Sequence, residues 1–402
     1  MWLRSAEALR RLLTVPFGSL LGWLRRGSLK RRLGSLVLVA VLAVTGGLVY
    51  AWSGLFSISA SSGHWAATSW LLHFSMRSAV RTQSMGIKAP VLEDEMLVLK
   101  GAGHYATGCA ACHGAPGEPQ SLIARQMTPE PPYLPPRIKE WAPEELFWIV
   151  RNGIKFTAMP AWPALQRDDE VWALVAFIRK LPEMTPARYR QLAYGPSPMA
   201  SPGHLRPLLD PAGPVLADCA RCHGEEGLGR DRGAFPKLAG QTETYLLASL
   251  RAYAGGERQS GIMQPIAAGL DERTLQALAR HYAELPADGG REVTPPPAEL
   301  LAEGGELAAQ GQVERGVPGC TACHGPRREP RNQHYPNLAG QYPEYLALQL
   351  RLFHEGTRGG TEYAQVMHSA ARRLTPAQIE TLARYYGSLP WQGAAGPQAA
   401  AR

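Results

Sequence analysis

Strand-forming signal is scarce in this chain. Nowhere in its 402 residues does a run of alternating β-branched residues persist, which argues against a large sheet and leaves an all-α fold. Glycine loops of phosphate-binding specificity and nucleophile triads are also missing, so the sequence offers no footing for nucleotide-dependent or hydrolytic chemistry. Cysteine is limited to six residues, none of them outside three short motifs. Charge of one sign is missing from most of the chain as well. The formal net charge is +8, but residues 1–32 hold eight basic side chains (Arg4, Arg10, Arg11, Arg25, Arg26, Lys30, Arg31, Arg32) against Glu7 alone. That block accounts for +7 and leaves +1 for residues 33–402. The basic character therefore belongs to the N-terminus, and no nucleic-acid partner is expected for the main body.

Directly after the basic block the chain turns apolar. Leu33–Ser53 is a stretch of 21 residues without a charge, rich in Leu, Val and Ala, and about 20 such residues cross a bilayer. Eight positive charges before it predict a cytoplasmic segment over 1–32 and a single transmembrane anchor over 33–53, with the remainder exported. A cleavable signal peptide is the alternative, but its apolar region usually runs only about 7–15 residues. Apolar residues at helical spacing from Leu3 to Leu24, interrupted at Pro16, fit either an amphipathic surface helix or a solvated tail.

Proline (34) and glycine (42) are plentiful, which suits small helical units joined by loops. Two Pro-rich stretches, Pro196–Pro214 and Pro286–Pro297, read as extended linkers. They leave three bodies: 54–190 including an N-terminal stalk, 205–287 and 298–390. The second and third are copies. Pro236-Lys-Leu-Ala-Gly-Gln241 matches Pro336-Asn-Leu-Ala-Gly-Gln341, Tyr245 and Tyr345 come next, and Gly256-Glu-Arg258 matches Gly356-Thr-Arg358. Both end a helical run in Leu-Pro, at Pro286 and Pro390, as the first does at Leu181-Pro182. A repeat of this size that carries its own chemistry indicates duplicated domains, since solenoid units run about 20–50 residues.

The cysteines form three identical arrangements: Cys109-Ala-Ala-Cys112-His113, Cys219-Ala-Arg-Cys222-His223 and Cys320-Thr-Ala-Cys323-His324. The C-x-x-C-H spacing is the attachment signature of a c-type haem. Two thiols at i and i+3 reach both vinyl groups of one porphyrin, and the adjacent histidine supplies the proximal nitrogen. Zinc would need a fourth ligand near each motif. A dithiol redox centre is expected once, in a βαβ context absent here, and disulfides leave the histidines unexplained. Three covalent haem c groups are therefore expected, with His113, His223 and His324 on the irons.

Each iron then needs a distal ligand. Met159, Met263 and Met367 lie 46, 40 and 43 residues after the haem histidine of their own body, each before its last helix. An isolated Met is commonly core filling, but three at one place in three repeats point to ligation. In the third body His368 adjoins Met367 and is a chemically sound alternative. Pro-x-Leu recurs between haem His and Met, at Pro132, Pro236 and Pro336. A carbonyl there can accept the second ring N–H of the proximal His; simple turn prolines are the plainer reading.

Taken together, each exported body resembles a class I cytochrome c domain. The second and third resemble the di-haem cytochrome c-4 family through the repeated segments above. The first, through Cys109 to Gly117 and Met159-Pro-Ala-Trp162, resembles the single domains that precede such pairs in membrane-bound tri-haem cytochromes. The resemblance covers residues 91–185, 215–287 and 298–390. It implies all-α domains, His/Met haems and one-electron transfer between respiratory partners, with Arg258 and Arg358 either facing haem propionates or solvated. Pro211 and Pro214 leave the second body a short helix or none before its motif, so linker residues are expected to cover that haem. Phe56–Leu92 fits no part of the cytochrome fold and reads as a stalk or packing segment near the membrane.

The expected function is electron transfer on the periplasmic side of the inner membrane, toward a terminal oxidase or another respiratory partner such as a cytochrome bc complex. The alternative is the electron-accepting subunit of a periplasmic quinoprotein or flavin dehydrogenase. A haem peroxidase would need an open iron, whereas every body offers a distal Met, so no catalytic residue is expected.

Overall fold

The computed structural model describes residues 28–195, 213–230, 233–287, 297–325 and 332–390. Most of the basic N-terminal block, including its amphipathic segment, and most of both Pro-rich linkers lie outside the described residues. Among the described residues every regular element is helical, so the all-α expectation holds. The chain forms two units, up to Gly63 and from His64 onward.

The first unit contains helix α1, Leu29–Ser53, none of whose residues is buried. At 1.5 Å per residue it is about 37 Å long, more than the roughly 30 Å hydrocarbon core. It has the length and composition of a membrane anchor or a signal sequence.

The second unit opens with α2, Ala66–Ser84. Its C-terminal half packs on α4, Pro143–Asn152, where Val80 is buried. Arg77 pairs with Glu140 and lies 5.0 Å over the Trp141 ring, and Arg81 approaches Glu145 at 3.6 Å. Its N-terminal half is different: Trp70, Leu71 and Phe74, with Trp65 just before the helix, are exposed. The segment expected to be a stalk is thus half docked and half bare.

Around the first motif, α3 (Glu95–Gly108) crosses α5 (Asp168–Lys180), and α6 (Pro186–Tyr194) closes the group. The crossing is set by Gly101. A Cβ there would stand 2.1 Å from the Ala173 carbonyl oxygen and 2.6 Å from Phe177 Cβ. Tyr105, Phe177, Leu174 and Tyr189 fill the core beneath it. Asp168, Asp169 and Glu170 in the first turn of α5 suit the positive end of its dipole.

The second motif lies at the end of α7, Gly213–His223. Beyond it come α8 (Glu243–Ala254), α9 (Met263–Ala268) and α10 (Glu272–Glu284). The helix before this motif is short, as the prolines suggest, while the linker residues expected to cover its haem lie largely outside the described residues. Gly103 of α3 presses on the motif, its missing Cβ being 3.3 Å from Cys222 Sγ and 3.2 Å from Phe235 Cζ. Phe235 belongs to the first core and Cys222 packs against it. A helix of the first body therefore packs against the motif, with a glycine where Cys222 and Phe235 come near.

The third group repeats the first pattern with α11 (Ala298–Gln310), α12 (Pro343–His354), α13 (Ala364–Ala371) and α14 (Pro376–Ser388). Gly304 takes the role of Gly101, 2.5 Å from Tyr385 Cβ if it carried a Cβ.

The two copies of Pro-x-Leu-Ala-Gly-Gln face each other. Gln341 accepts from the Lys237 N–H at 3.0 Å and donates to its carbonyl at 2.9 Å; Gln241 does the same to Asn337 at 2.9 and 2.8 Å. Each buried glutamine thus satisfies both backbone groups of the other repeat. The repeated sequence is its own binding partner.

Because overpacking a tight crossing costs about 1–3 kcal/mol, Gly101→Val should lower the stability of the haem-loaded protein by that amount. Chemical denaturation followed in the far ultraviolet would measure it, and an unchanged midpoint would refute the crossing's tightness.

Candidate haem-binding sites

Each motif is one helical turn. In the first, the Cys112 and His113 N–H groups donate to the Cys109 carbonyl at 3.1 and 2.9 Å, and in the third Cys323 and His324 donate to Cys320 at 3.1 and 2.9 Å. The turn puts thiols i and i+3 on one side with the imidazole beside them. It closes on a glycine at positive φ (Gly114 67°, Gly224 77°, Gly325 79°), a conformation that side chains resist.

The imidazoles are held alike. His113 Nδ1 lies 2.9 Å from the Pro132 carbonyl, His223 Nδ1 3.2 Å from Pro236 and His324 Nδ1 3.1 Å from Pro336. A carbonyl can only accept, so Nδ1 carries the proton and the Nε2 lone pair is left for a metal. The structure thus brings each Pro-x-Leu to its histidine.

None of the six cysteines is in a disulfide. Burial pushes the Cys109 and Cys219 thiols up to about 12 and Cys320 to about 11. Reactive dithiol centres need the opposite shift. An apolar setting for paired thiols, with a metal-ready imidazole adjacent, fits a porphyrin.

The methionines occupy related but not identical settings. Met159 sits in the loop after α4, its N–H donating to Thr157 Oγ1 at 3.1 Å, and its side chain packs on the first core. Met263 begins α9, with its N–H on Ser260 Oγ at 3.1 Å. Met367 lies inside α13 against the third core. Its neighbour His368 is engaged elsewhere: Nε2 is 2.5 Å from the Arg358 carbonyl, and the ring stands edge-on to Phe353 at 5.7 Å.

Arg258 and Arg358 are 4% and 8% exposed, so the solvated alternative is set aside. They cross the interface between the two repeats: Arg258 donates to Tyr345 Oη at 3.2 Å, and Arg358 to Tyr245 Oη at 3.1 Å. Arg258 also lies 4.6 Å over Tyr253, and Arg358 4.5 Å over Phe353. Burial alone would raise the Tyr245 phenol, but the charges of Arg358 and Arg258 outweigh it and bring it down to about 8. Arg258 also reaches Gln349 Oε1 at 3.4 Å, but phenols, ring faces and one amide oxygen are neutral partners for two buried guanidinium ions. The pair suits a ligand that brings its own carboxylates, as a haem does with its propionates.

Sequence reasoning passed over the aromatic beside each proximal histidine. The Phe235 ring stands 6.3 Å from His223 and Tyr335 5.9 Å from His324, while Tyr133 packs against Gly114 in the first motif. The signal was there: in both copies an aromatic immediately precedes the Pro of Pro-x-Leu.

Comparison with known proteins points to c-type cytochromes. Residues 97–178 match the family described as cytochrome c oxidase, cbb3-type, subunit III. Residues 213–280 and 302–390 match the cytochrome c family. The chain is similar to the thiosulfate dehydrogenase electron acceptor of Thiomonas intermedia (strain K12), 35% identical over 179 residues, covering 44% of this chain and 82% of that protein. It is also similar to cytochrome c4 of Pseudomonas aeruginosa, 33% identical over 174 residues, covering 43% and 84%. Among solved structures, reduced recombinant cytochrome c4 from Pseudomonas stutzeri matches with 30% identity and a TM-score of 0.40, over 44% of this chain and 95% of that one.

Since each motif is a separate attachment site, a Cys219→Ala, Cys222→Ala double variant should carry two haems in place of three. Intact-mass spectrometry would read the loss of one haem mass; an unchanged mass would contradict attachment at that motif.

Proposed function

Because the chain belongs to the cytochrome c family, with second and third bodies of the cytochrome c4 type, we propose that it is a membrane-tethered electron relay. It takes electrons from a periplasmic dehydrogenase and delivers them to a terminal oxidase or a cytochrome bc complex. Electron transfer is its activity, three covalent haem c groups are its cofactors, and it is a carrier rather than an enzyme. Each haem supplies a one-electron couple. The protein's own residues do the rest.

His113, His223 and His324 are the proposed proximal ligands, each oriented by the carbonyl of Pro132, Pro236 or Pro336. Met159, Met263 and Met367 are the proposed distal ones. Met/His ligation raises the potential and leaves no iron position open, favouring electron transfer over small-molecule chemistry. In the third body Met367 is preferred over His368, because the Nε2 of that histidine is engaged by the Arg358 carbonyl. The proposed domain division is 54–190, 205–287 and 298–390. The separate cores in the second and third groups support it, although the first core also reaches Phe235.

The observation carrying the relay is the pair of repeats joined face to face through Gln241, Gln341, Arg258 and Arg358, beside a first body docked on the second motif. Placement on the outer face of the inner membrane, with α1 as an uncleaved anchor and a cytoplasmic N-terminus, is supported by the basic block before α1. The exposed Trp65 and Trp70, shortly beyond α1, suit the membrane interface. The likeness of the first body to an oxidase subunit favours an oxidase as acceptor. A second reading, the electron-accepting subunit of a periplasmic dehydrogenase, is favoured by the relative named as a thiosulfate dehydrogenase electron acceptor.

Gentle detergent extraction of the anchored protein, followed by mass spectrometry of the proteins that stay bound, separates the two. Oxidase or cytochrome bc subunits would support the tethered carrier; a stoichiometric dehydrogenase would favour the subunit reading instead. For ligation, Met367→Ala should abolish the near-infrared methionine–iron band of the third haem, while His368→Ala should retain it. A band of only two haems' strength in the unaltered protein, left unchanged by Met367→Ala, would assign the iron to His368.

A further inference from the structure

One carboxylate touches both distal loops of the first two haem sites. Glu170, in the first turn of α5, is 3% exposed. It accepts from Trp162 Nε1 at 3.2 Å, three residues beyond Met159. From the second body it accepts Ser260 Oγ at 2.7 Å and the Gly261 N–H at 2.7 Å. Ser260 Oγ in turn accepts the Met263 N–H at 3.1 Å. A continuous path of hydrogen bonds therefore runs from the Met263 backbone through Ser260 and Glu170 to Trp162.

The surroundings hold this path still. Arg167, with 8% of its side chain exposed, lies 3.0 Å from Glu170 and donates to the Gln259 carbonyl at 2.7 Å. Asp169 neutralises the other edge of that guanidinium at 2.7 Å and also pairs with Lys100 at 3.1 Å. Gly261 sits against the Trp162 indole so closely that a Cβ would be 2.2 Å from the ring. A carboxylate needed only to hold α5 would find its donors within the first body. Two of the four on Glu170 come from the second, and both belong to the segment leading into Met263. Buried charge is tolerated only when its partners stay in place, so the loops of Met159 and Met263 are constrained together.

We infer that Glu170 is a positioning residue through which the first body sets the distal-ligand segment of the second haem. The inference rests on the proposed ligation by Met159 and Met263.

The test uses the full-length, haem-loaded protein in detergent, with spectra assigned against the two-haem variant lacking Cys219 and Cys222. In Glu170→Ala the near-infrared methionine–iron intensity should fall by about a third, one haem of three. The midpoint potential of the second haem should drop while that of the third stays. Glu170→Gln, which keeps the shape and one acceptor, should recover part of both signals. If Glu170→Ala does not fold, Ser260→Ala decides alone, since it removes only the hydroxyl linking Glu170 to Met263; it should shift the second haem in the same direction. Unshifted potentials at the second haem in every folded variant, or a shift confined to the first haem, would overturn the inference. Met263→Ala run alongside distinguishes the two failures: if it leaves the second haem's band intact, the ligand assignment itself is wrong.

Discussion

An imidazole presents one nitrogen to a metal reliably only when the other is already committed. This chain meets that constraint three times with the same device, a proline carbonyl 2.9–3.2 Å from Nδ1 of the histidine next to the second cysteine. Much else depends on it. The Pro-x-Leu loop must return beside a single helical turn, so the turn ends abruptly on glycine. The aromatic at that loop then packs against the histidine or the closing glycine. Proline serves as acceptor because it has no N–H to compete and little freedom to leave.

The second and third bodies show what duplication does to an interface. Identical segments meet in reciprocal contacts, so Gln241 and Gln341 exchange backbone partners and Arg258 and Arg358 exchange tyrosines. The glutamines leave nothing unsatisfied. The arginines place two guanidinium charges against phenols, ring faces and, for Arg258, the Gln349 amide oxygen at 3.4 Å, without a protein carboxylate among these contacts.

The first body joins this pair differently. It meets the second through bare helix backbone at Gly103, through Arg230 donating to the Leu192 and Gln191 carbonyls at 3.1 and 2.9 Å, and through the Glu170 cluster. These contacts engage the attachment turn of the second motif from one side and its proposed distal loop from another. Although an extended Pro-rich stretch separates the two bodies in sequence, the first is packed against its neighbour.

Much of this was legible from the chain itself. The three attachment turns, the proline acceptors, the helical class and the apolar α1 segment are patterns whose members lie within a few residues or recur in register, so spacing alone reveals them. The duplication likewise declared itself in matched segments. Tertiary structure decided the rest, because the partners are far apart in the chain. That His368 is committed to a carbonyl, that α3 covers Cys222, and that Glu170 and Ser260 meet across 90 positions are outcomes of packing. A lone glutamate in a helix's first turn reads in sequence as a dipole partner; only burial beside a second domain makes it a bridge.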